Sequence, residues 1–327
     1  MGDVVLHLLS CFRIAIILVC VNGHFLSVYA KRYLELVVGS ASLGSWIDGL
    51  QSCGRYSFPR AEALRNSGLS TEAAGKALRR AVKSGRLVHP KEYFYVIVPL
   101  EYRAVGTPPV PWFIDDLMAA MKVPYYVGLL SAAAFHGAAH QQPQVFQVLT
   151  DRPVRPVSAG RARIMFYASK YVTQAAVAEL KTPTGAMRVS TPETTAVDLV
   201  RFVKAAGHLD HVASVIGDLA PMLVPKRLVA ALRVVNDIPN AQRLGYVLDL
   251  LRHRELAEAV HQWVERRVER FQPLRPDQPV GEVRENRRWH LQINVPLPDL
   301  SAFRDSLGKP AKRSVVTIRR LRGQERY

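Results

Sequence analysis

The chain of 327 residues has few cysteines, and their positions fit none of the common cysteine frameworks. Cys11, Cys20 and Cys53 are an odd number and match no zinc or iron–sulfur spacing. This argues against a disulfide framework and fits a reducing compartment. The sequence also has no glycine-rich phosphate loop between a strand and a helix, and no repeat with a period of about 20–50 residues. A P-loop enzyme and a solenoid are therefore not expected.

A long uninterrupted hydrophobic run is also missing, although residues 3–30 are strongly apolar. The clean run is only Ile14–Val21, and a bilayer span needs roughly 20 apolar residues, so we predict no transmembrane helix. One interpretation of residues 1–40 is a signal-like leader with a cleavage site near Ala30, although acidic Asp3 argues against it. The other is an upstream stretch that does not belong to the native protein, whose true start then lies near Val37.

Negative charge is scarce as well. The chain has 44 lysines and arginines against 27 aspartates and glutamates, a formal net charge of +17 and a pI near 10.1. Such a surface attracts polyanions, which means nucleic acid or an anionic membrane, and we favour nucleic acid. The hydrophobic fraction of 49% provides for a real core and argues against global disorder.

Apolar spacing predicts a compact helical region before residue 104. Ser70 has the character of an N-cap and Gly85 that of the glycine that follows a helix. The predicted elements are helices over 42–52, 59–66 and 71–84, then strands over 86–89 and 93–98 joined by a turn at 90–92. This order is typical of a winged helix-turn-helix, which we predict for residues 41–103.

The third of these helices carries the strongest functional signal. Its positive residues recur at i, i+3, i+4 and i+7, opposite an apolar face, as expected for a helix that enters the major groove. Residues 54–103 hold ten basic and four acidic side chains. The residues predicted to contact DNA are Arg55, Arg60, Lys76, Arg79, Arg80, Lys83, Arg86 and Lys91, the last in the wing. A merely solvated basic face and a protein-docking winged helix remain as alternatives.

The second half has a different pattern. A proline-rich stretch, 104–111, predicts a stiff extended linker. Residues 112–300 predict a mixed, helix-rich α/β domain, which makes the whole chain α+β. Its predicted elements include helices over 112–121, 125–136 and 171–180, strands over 145–150 and 162–167, and a series of helices that begins after the N-cap Thr191. Residues 301–327 form a basic tail that is either solvated or a further contact surface.

Candidate catalytic and metal-binding groups in this half do not combine. Ser131 and His136 lie five apart on a predicted helix and diverge by about 140°. Glu193 and Asp198 have the same spacing, and the histidine pair at 208 and 211 has no third ligand at metal spacing. We therefore predict no catalytic residues, no metal, no cofactor and no enzymatic activity.

Three strings in this half resemble the AbiEi-type antitoxin family. They are YYVGLLSAAAFHG (125–137), STPETTAVDLV (190–200) and AQRLGYVLDLL (241–251), which occur in the family's order behind a winged helix that contains FPRAEAL (58–64). The resemblance covers roughly residues 43–298. The apolar leader and the basic tail have no counterpart in the family pattern.

The resemblance implies the antitoxin of a type IV toxin–antitoxin pair. Members bind inverted repeats in their own promoter through the N-terminal domain. They neutralise a nucleotidyltransferase-like toxin through the C-terminal domain, and the resemblance does not say whether this needs direct contact with the toxin. It further implies a cytoplasmic protein with no membrane partner and no catalytic residues. A winged-helix regulator with a sensory domain and no toxin, and a nucleic-acid-processing enzyme, are the alternative interpretations.

Overall fold

The computed structural model describes residues 42–138, 143–280 and 283–295. Within these ranges the protein is a mixed α/β structure with ten α-helices and three sheets. The apolar leader at 1–40 and the basic tail at 301–327 lie outside the described residues. None of the helices in the described ranges is long and apolar enough to span a bilayer.

The N-terminal region is built from three helices and a three-stranded sheet. Ser42 caps the first helix by accepting a hydrogen bond from the Ser45 amide at 3.2 Å, and Ser70 caps the third in the same way, as predicted for Ser70. The elements are α1 (Leu43–Ser52), β1 (Ser57–Pro59), α2 (Arg60–Asn66), α3 (Thr71–Lys83), β2 (Leu87–Lys91) and β3 (Phe94–Ile97), with the sheet in the order β1-β3-β2.

Two local details of this region differ from the sequence prediction. The stretch before the second helix contains strand β1, so Pro59 ends a strand and α2 begins at Arg60 rather than at the proline. The hairpin turn consists of Glu92 and Tyr93, not residues 90–92, and Lys91 is the last residue of β2. Both differences have the same cause. Pairing with β3 keeps residues 57–59 and 90–91 in strands, although the periodicity of their side chains does not show it.

Strand β3 joins the two halves of the molecule because both of its faces are buried. Tyr95 and Ile97 pack into the N-terminal core around Trp46, whereas Phe94 and Val96 pack into a second core with residues of the following region. This alternation follows from the two-residue period of a strand. The N-terminal region therefore shares a core with the rest of the chain.

The proline-rich stretch at 104–111 is packed rather than freely extended. Thr107 and Val110 are buried, and a short 3₁₀ helix spans Val110–Trp112. Gly106 touches Gly160 at a hairpin turn of the next sheet, and the Arg161 amide donates to the Val105 carbonyl at 3.0 Å. Both glycines have a positive φ, and a Cβ on Gly160 would lie 2.5 Å from the Gly106 carbonyl carbon. The stretch is thus held against the sheet by backbone contact.

A six-stranded mixed sheet forms the centre of the second half. Helix α4 (Ile114–Met121) lies on the side of the sheet that faces the N-terminal region, in the core shared with β3. The strands are β4 (Tyr125–Val127), β5 (Phe146–Thr150), β6 (Val157–Ala159), β7 (Ala162–Ala168), β8 (Val177–Thr182) and β9 (Gly185–Ser190), in the order β6-β7-β5-β4-β9-β8.

One helix prediction in this region holds only for its second part, and another is wrong. Residues 125–136 contain strand β4 followed by helix α5 (Leu129–Phe135), because Tyr125-Tyr126-Val127 is an aromatic and β-branched run buried between β5 and β9. A Cβ on Gly128, which separates the two elements, would lie 2.3 Å from Leu149. The predicted helix at 171–180 is also absent, since strand β8 begins at Val177. Strands β6 and β9 had no sequence prediction.

Five helices cover the other face of the sheet. They are α6 (Pro192–Arg201), α7 (His208–Leu219), α8 (Pro225–Val235), α9 (Ile238–Leu250) and α10 (Arg254–Val264). The predicted N-cap is confirmed, because the Thr191 hydroxyl accepts from the Thr194 amide at 3.3 Å and Pro192 is the first helical residue. These helices share a large apolar core with the inner face of the sheet.

A small sheet, which the sequence did not predict, closes the end of the helical layer. It consists of β10 (Gln272–Pro273), β11 (Arg284–Asn286) and β12 (Leu291–Ile293). Trp289 anchors it: the indole is fully buried, donates to Asp249 Oδ2 at 2.6 Å and lies against Gly245 of α9. A Cβ at Gly245 would come within 2.0 Å of the ring, so only glycine fits there.

Candidate nucleic-acid interface

The exposed surface of α3 is a continuous basic face. Ala74 and Leu78 are buried against the N-terminal core, which turns the opposite side of the helix to solvent. Four positively charged side chains are exposed on that side: Lys76, Arg79, Arg80 and Lys83. We refer to these four residues as the α3 face. The helix ends before Gly85, whose φ is +70°, as predicted for a glycine after the last turn.

Three of the four cations on the α3 face have no ion-pair partner among the residues that the structure describes. Lys76 forms an i,i+4 ion pair with Glu72 at 2.6 Å, with both side chains largely exposed. Arg79, Arg80 and Lys83 make no ion pair with any residue that the structure describes. Because exposed ion pairs contribute little, Lys76 can exchange Glu72 for another anion at small cost. The face therefore presents three available charges and a fourth held weakly.

Two of the predicted DNA contacts are engaged within the N-terminal region. The Arg55 guanidinium donates to both carboxylate oxygens of Glu62, at 2.8 and 2.9 Å. Arg86 donates to Asp48 and to the Gly44 carbonyl, which ties the end of α3 to α1. The bidentate contact of Arg55 and the two-acceptor contact of Arg86 fix geometry. Both side chains therefore orient the helices that surround the α3 face.

The remaining two predicted residues lie beside the hairpin. Arg60 donates its backbone amide to the Tyr93 carbonyl at 2.7 Å, and its guanidinium lies 6.0 Å from the centre of the Tyr93 ring. Tyr93 is 57% exposed at the hairpin tip. Lys91 is half-buried and lines a cleft between the hairpin and α4 that also contains Asp116. The hairpin tip itself thus presents Glu92 and Tyr93.

The second half contains a buried polar cluster at the landmark strings. Asp198 of α6 is 1% exposed and accepts hydrogen bonds from the Tyr126 hydroxyl at 2.7 Å and from Arg201 at 2.8 Å. Burial raises the pKa of the Asp198 carboxyl, and the two hydrogen bonds oppose that rise. The Arg201 guanidinium lies between the rings of Tyr171 and Phe202, at 5.2 and 5.1 Å. The Asp198 carboxylate is thus held by two donors of the fold.

The candidate catalytic pairs do not meet. The Ser131 hydroxyl accepts from the Gln147 amide at 2.9 Å, whereas His136 bonds the Ser190 carbonyl at 2.8 Å. Glu193 accepts from the Val224 amide at 3.2 Å, whereas Asp198 is bonded to Tyr126 and Arg201. In the described part of the chain, no three histidine, cysteine, aspartate or glutamate side chains are grouped closely enough to hold a metal ion.

Two arginines that the sequence analysis did not single out converge in a cavity of the second half. Arg243 lies within the string AQRLGYVLDLL, and Arg275 lies just after β10. Helical spacing marks position 243 as part of an α-helix but does not show that the side chain is buried. Arg275 comes close to it only through the tertiary fold.

The fold and this surface together define a mixed α/β protein with an exposed basic helix near its N-terminus. Residues 126–250 match the family model of the AbiEi antitoxin C-terminal domain, which confirms over those residues the resemblance seen in the sequence. The match includes the string at 241–250 that carries Arg243 and the whole of α6.

A solved structure shares the fold. The crystal structure of the RV2827C protein from Mycobacterium tuberculosis is similar with a TM-score of 0.55 and 15% sequence identity, and the match covers 80% of this chain and 91% of that chain. At this identity the likeness concerns the fold alone. No curated protein matches the chain in sequence.

Proposed function

We propose that this protein is the antitoxin of a type IV toxin–antitoxin pair, which represses its own operon and neutralises a nucleotidyltransferase-like toxin. In this proposal residues 41–103 form a winged helix-turn-helix that binds operator DNA, and residues 112–300 form the antitoxin domain, joined by residues 104–111. The protein acts in the cytoplasm, where both partners are found.

The observation that carries the DNA-binding part is the α3 face. A B-DNA major groove admits one α-helix, and α3 is the third helix in an order of elements typical of winged helices. Its exposed side holds Arg79, Arg80 and Lys83 without a counter-charge among the described residues. Phosphate groups supply that counter-charge, and the arginines also have the geometry to bond guanine.

The other predicted residues take two different roles in this proposal. Arg55 and Arg86 hold α1, α2 and α3 in position through Glu62 and Asp48. Arg60 and Lys91 flank the hairpin, where contacts to the DNA backbone are expected of a wing. Phosphate contacts fix the register of such a domain on DNA, and base contacts from α3 supply the sequence preference.

The match of residues 126–250 to the AbiEi antitoxin C-terminal domain supports the antitoxin part. In that segment the buried Asp198 carboxylate is held by two structural partners, Tyr126 and Arg201, which supports a binding role for this region. We infer that neutralisation belongs to this region and that repression belongs to the α3 face.

The test separates the two activities in the full chain. The gene adjacent to this one is induced in growing cells with the wild-type protein, with Arg79→Glu/Arg80→Glu, or with the control Lys226→Glu/Arg233→Glu, which reverses two exposed charges on α8. A reporter under the operon's own promoter measures repression at the same time. We expect the α3 variant to lose repression by about tenfold or more and to keep growth rescue, while the control keeps both.

Three outcomes contradict the proposal. If the adjacent gene product is harmless, the protein is a regulator without a toxin partner. If the α3 variant loses rescue together with repression, the two regions do not divide the activities. If the α8 control loses repression to the same extent, the net charge of the protein, and not the α3 face, is what binds DNA.

A further inference from the structure

A cavity of about 680 Å³ lies in the second half, between the end of α6, the start of α7, helix α9 and the segment after β10. Four cationic side chains line it, against a single carboxylate: Arg201, Lys204, Arg243 and Arg275, with Asp277 as the acid. We call it the cationic cavity. It is about 340 Å³ larger than the cleft beside Tyr126 and Asp198 and does not include any residue of the α3 face.

Arg243 is the most unusual member of the cationic cavity. It is only 8% exposed, and its guanidinium bonds neutral oxygens: the Pro273 carbonyl at 3.0 Å from Nη2, the Leu274 carbonyl at 3.2 Å from Nε and Asn240 Oδ1 at 2.8 Å from Nη1. No carboxylate among the described residues forms an ion pair with it. Burial lowers the pKa of Arg243, and the charge of the Asp237 carboxylate partly opposes this lowering without an ion pair.

A buried cation without an ion-pair partner is costly, because it has lost its hydration without gaining a counter-charge. The neutral oxygens around Arg243 satisfy three of its N–H directions, but no carboxylate that the structure describes forms an ion pair with it. An anion in the adjoining cavity removes that cost. Arg243 therefore points to a negatively charged ligand.

Independent features of the same cavity point to the same kind of ligand. Arg275 forms an ion pair with Asp210 through Nη2, while its Nε and the second Asp210 oxygen, Oδ1, are each buried without a hydrogen-bond partner in the described structure. Lys204 is exposed and forms no ion pair with a described residue. The twelve-residue helix α7 begins at the cavity with Gly207 as its N-cap and no side-chain cap, and the acid in its first turn, Asp210, is paired with Arg275.

Two aromatic side chains form another wall of the cationic cavity. Tyr167 and Phe202 lie with their ring centres 5.9 Å apart, and both are half-buried. The Arg201 guanidinium covers the Phe202 ring at 5.1 Å and is itself neutralised by Asp198. A planar base packs well on such a surface, since aromatic rings and guanidinium groups both stack on bases.

We propose that the cationic cavity binds a nucleoside phosphate. The phosphate lies near Arg243, Lys204 and the start of α7, and the base packs on Tyr167 and Phe202. The volume is within the range of about 300–1,000 Å³ that small-ligand sites occupy. The site is distinct from the α3 face, so it stands or falls independently of operator binding.

The test is isothermal titration of the full chain with adenosine 5′-monophosphate, adenosine and inorganic phosphate, at about 0.15 M salt to screen diffuse charge. We expect the monophosphate to bind at least tenfold more tightly than either part alone. Lys204→Glu is expected to weaken it tenfold or more, and Phe202→Leu to weaken the monophosphate but not inorganic phosphate.

Two controls make the result specific. Lys181→Glu makes the same charge change at an exposed position on β8 outside the cavity and is expected to leave binding within twofold. The Arg79→Glu/Arg80→Glu variant is expected to retain monophosphate binding in full. Because Lys204 and Lys181 are exposed, both variants are expected to fold, as circular dichroism checks.

Three results overturn the proposal. The first is no heat of binding for the monophosphate at millimolar concentration. The second is equal affinity for inorganic phosphate and the monophosphate, which leaves the aromatic wall without a role. The third is equal loss in Lys204→Glu and Lys181→Glu, which means that the ligand binds the net positive charge rather than this cavity.

Discussion

The α3 face and the cationic cavity both gather positive charge, but they hold it in opposite ways. On α3 the guanidinium groups of Arg79 and Arg80 stand in solvent with no described partner. In the cavity Arg243 is almost fully buried and bonded to three oxygens. Solvated charges cost the fold little and are available to a large polyanion. A buried charge is part of the fold and is suited to one small anion.

This difference separates stability from binding. Replacing a cation on the α3 face is expected to change DNA affinity and leave folding intact, whereas replacing the buried Arg243 is expected to lower stability and leave DNA affinity intact. Three of the four predictions that follow test this separation, and one tests how residues 104–111 are held against the sheet; they run from the largest expected effect to the smallest.

The Arg243→Met variant is expected to lose about 3 kcal/mol of unfolding free energy. The substitution leaves the Pro273 and Leu274 carbonyls and Asn240 Oδ1 without their donor, and each unpaired buried group costs about 1–3 kcal/mol. Urea denaturation measures the change. Arg233→Met, on the exposed side of α8, serves as the control and is expected to stay within about 0.5 kcal/mol. Equal stability of the two variants would show that the free energy lost by burying the Arg243 charge equals the free energy gained from its hydrogen bonds.

The Arg79→Glu/Arg80→Glu variant is expected to bind operator DNA about 100-fold more weakly, with unchanged stability. If each of the three available cations on α3 contacts one phosphate, together they contribute about −2.7 to the slope of log binding constant against log salt concentration. Loss of two cations reduces this contribution to about −0.9. Titration of labelled operator at several salt concentrations measures both quantities. A slope that the double variant leaves unaltered would exclude α3 as the DNA-contacting helix.

The Gly160→Ala variant is expected to destabilise the fold by about 1–3 kcal/mol more than Gly137→Ala. Both glycines have a positive φ, +54° and +75°, but only a Cβ at Gly160 meets a neighbouring backbone, that of Gly106. The difference between the two variants therefore measures the steric contact with Gly106, because both variants carry the strain of a positive φ. Thermal unfolding of the two variants gives the comparison, and equal melting temperatures would mean that the hairpin turn moves away freely.

The smallest effects are expected at Lys76. Lys76→Ala removes an exposed ion pair, so stability is expected to change by less than about 0.5 kcal/mol and operator affinity by less than about threefold. Glu72→Gln releases Lys76 and is expected to steepen the salt slope to about −3.6, the value for four phosphate contacts. The opposite result would be that Lys76→Ala weakens DNA binding as much as Arg79→Ala. It would mean that Lys76 leaves Glu72 and contacts a phosphate in the wild-type complex.

Local signals in the sequence were sufficient where a single helix or cap decides the structure. Ser70 and Thr191 cap the helices predicted for them, and the face at 76, 79, 80 and 83 follows from helical spacing alone. Periodicity failed at Tyr125–Val127, because a strand buried on both faces shows an apolar run that a buried helix also shows.

Tertiary contacts explain what the sequence did not show at the functional residues. Arg55 and Arg86 have the same residue type as Arg79, but Glu62 and Asp48 are brought to them by the packing of α1, α2 and α3. Nothing in the spacing distinguishes the engaged arginines from the available ones. Arg243 and Arg275 are 32 positions apart, and only the small C-terminal sheet brings them to one cavity.

The shared core at β3 limits how this protein can be divided or recombined. Phe94 and Val96 belong to the N-terminal region by sequence, yet they pack with Phe113, Ile114 and Leu117 of the region that follows. A cut at 104–111 leaves apolar surface uncovered on both fragments, so each piece is expected to aggregate or to seek the other. An exchange of DNA-binding regions between relatives therefore succeeds only when the inner face of β3 and the surface that it meets are inherited together.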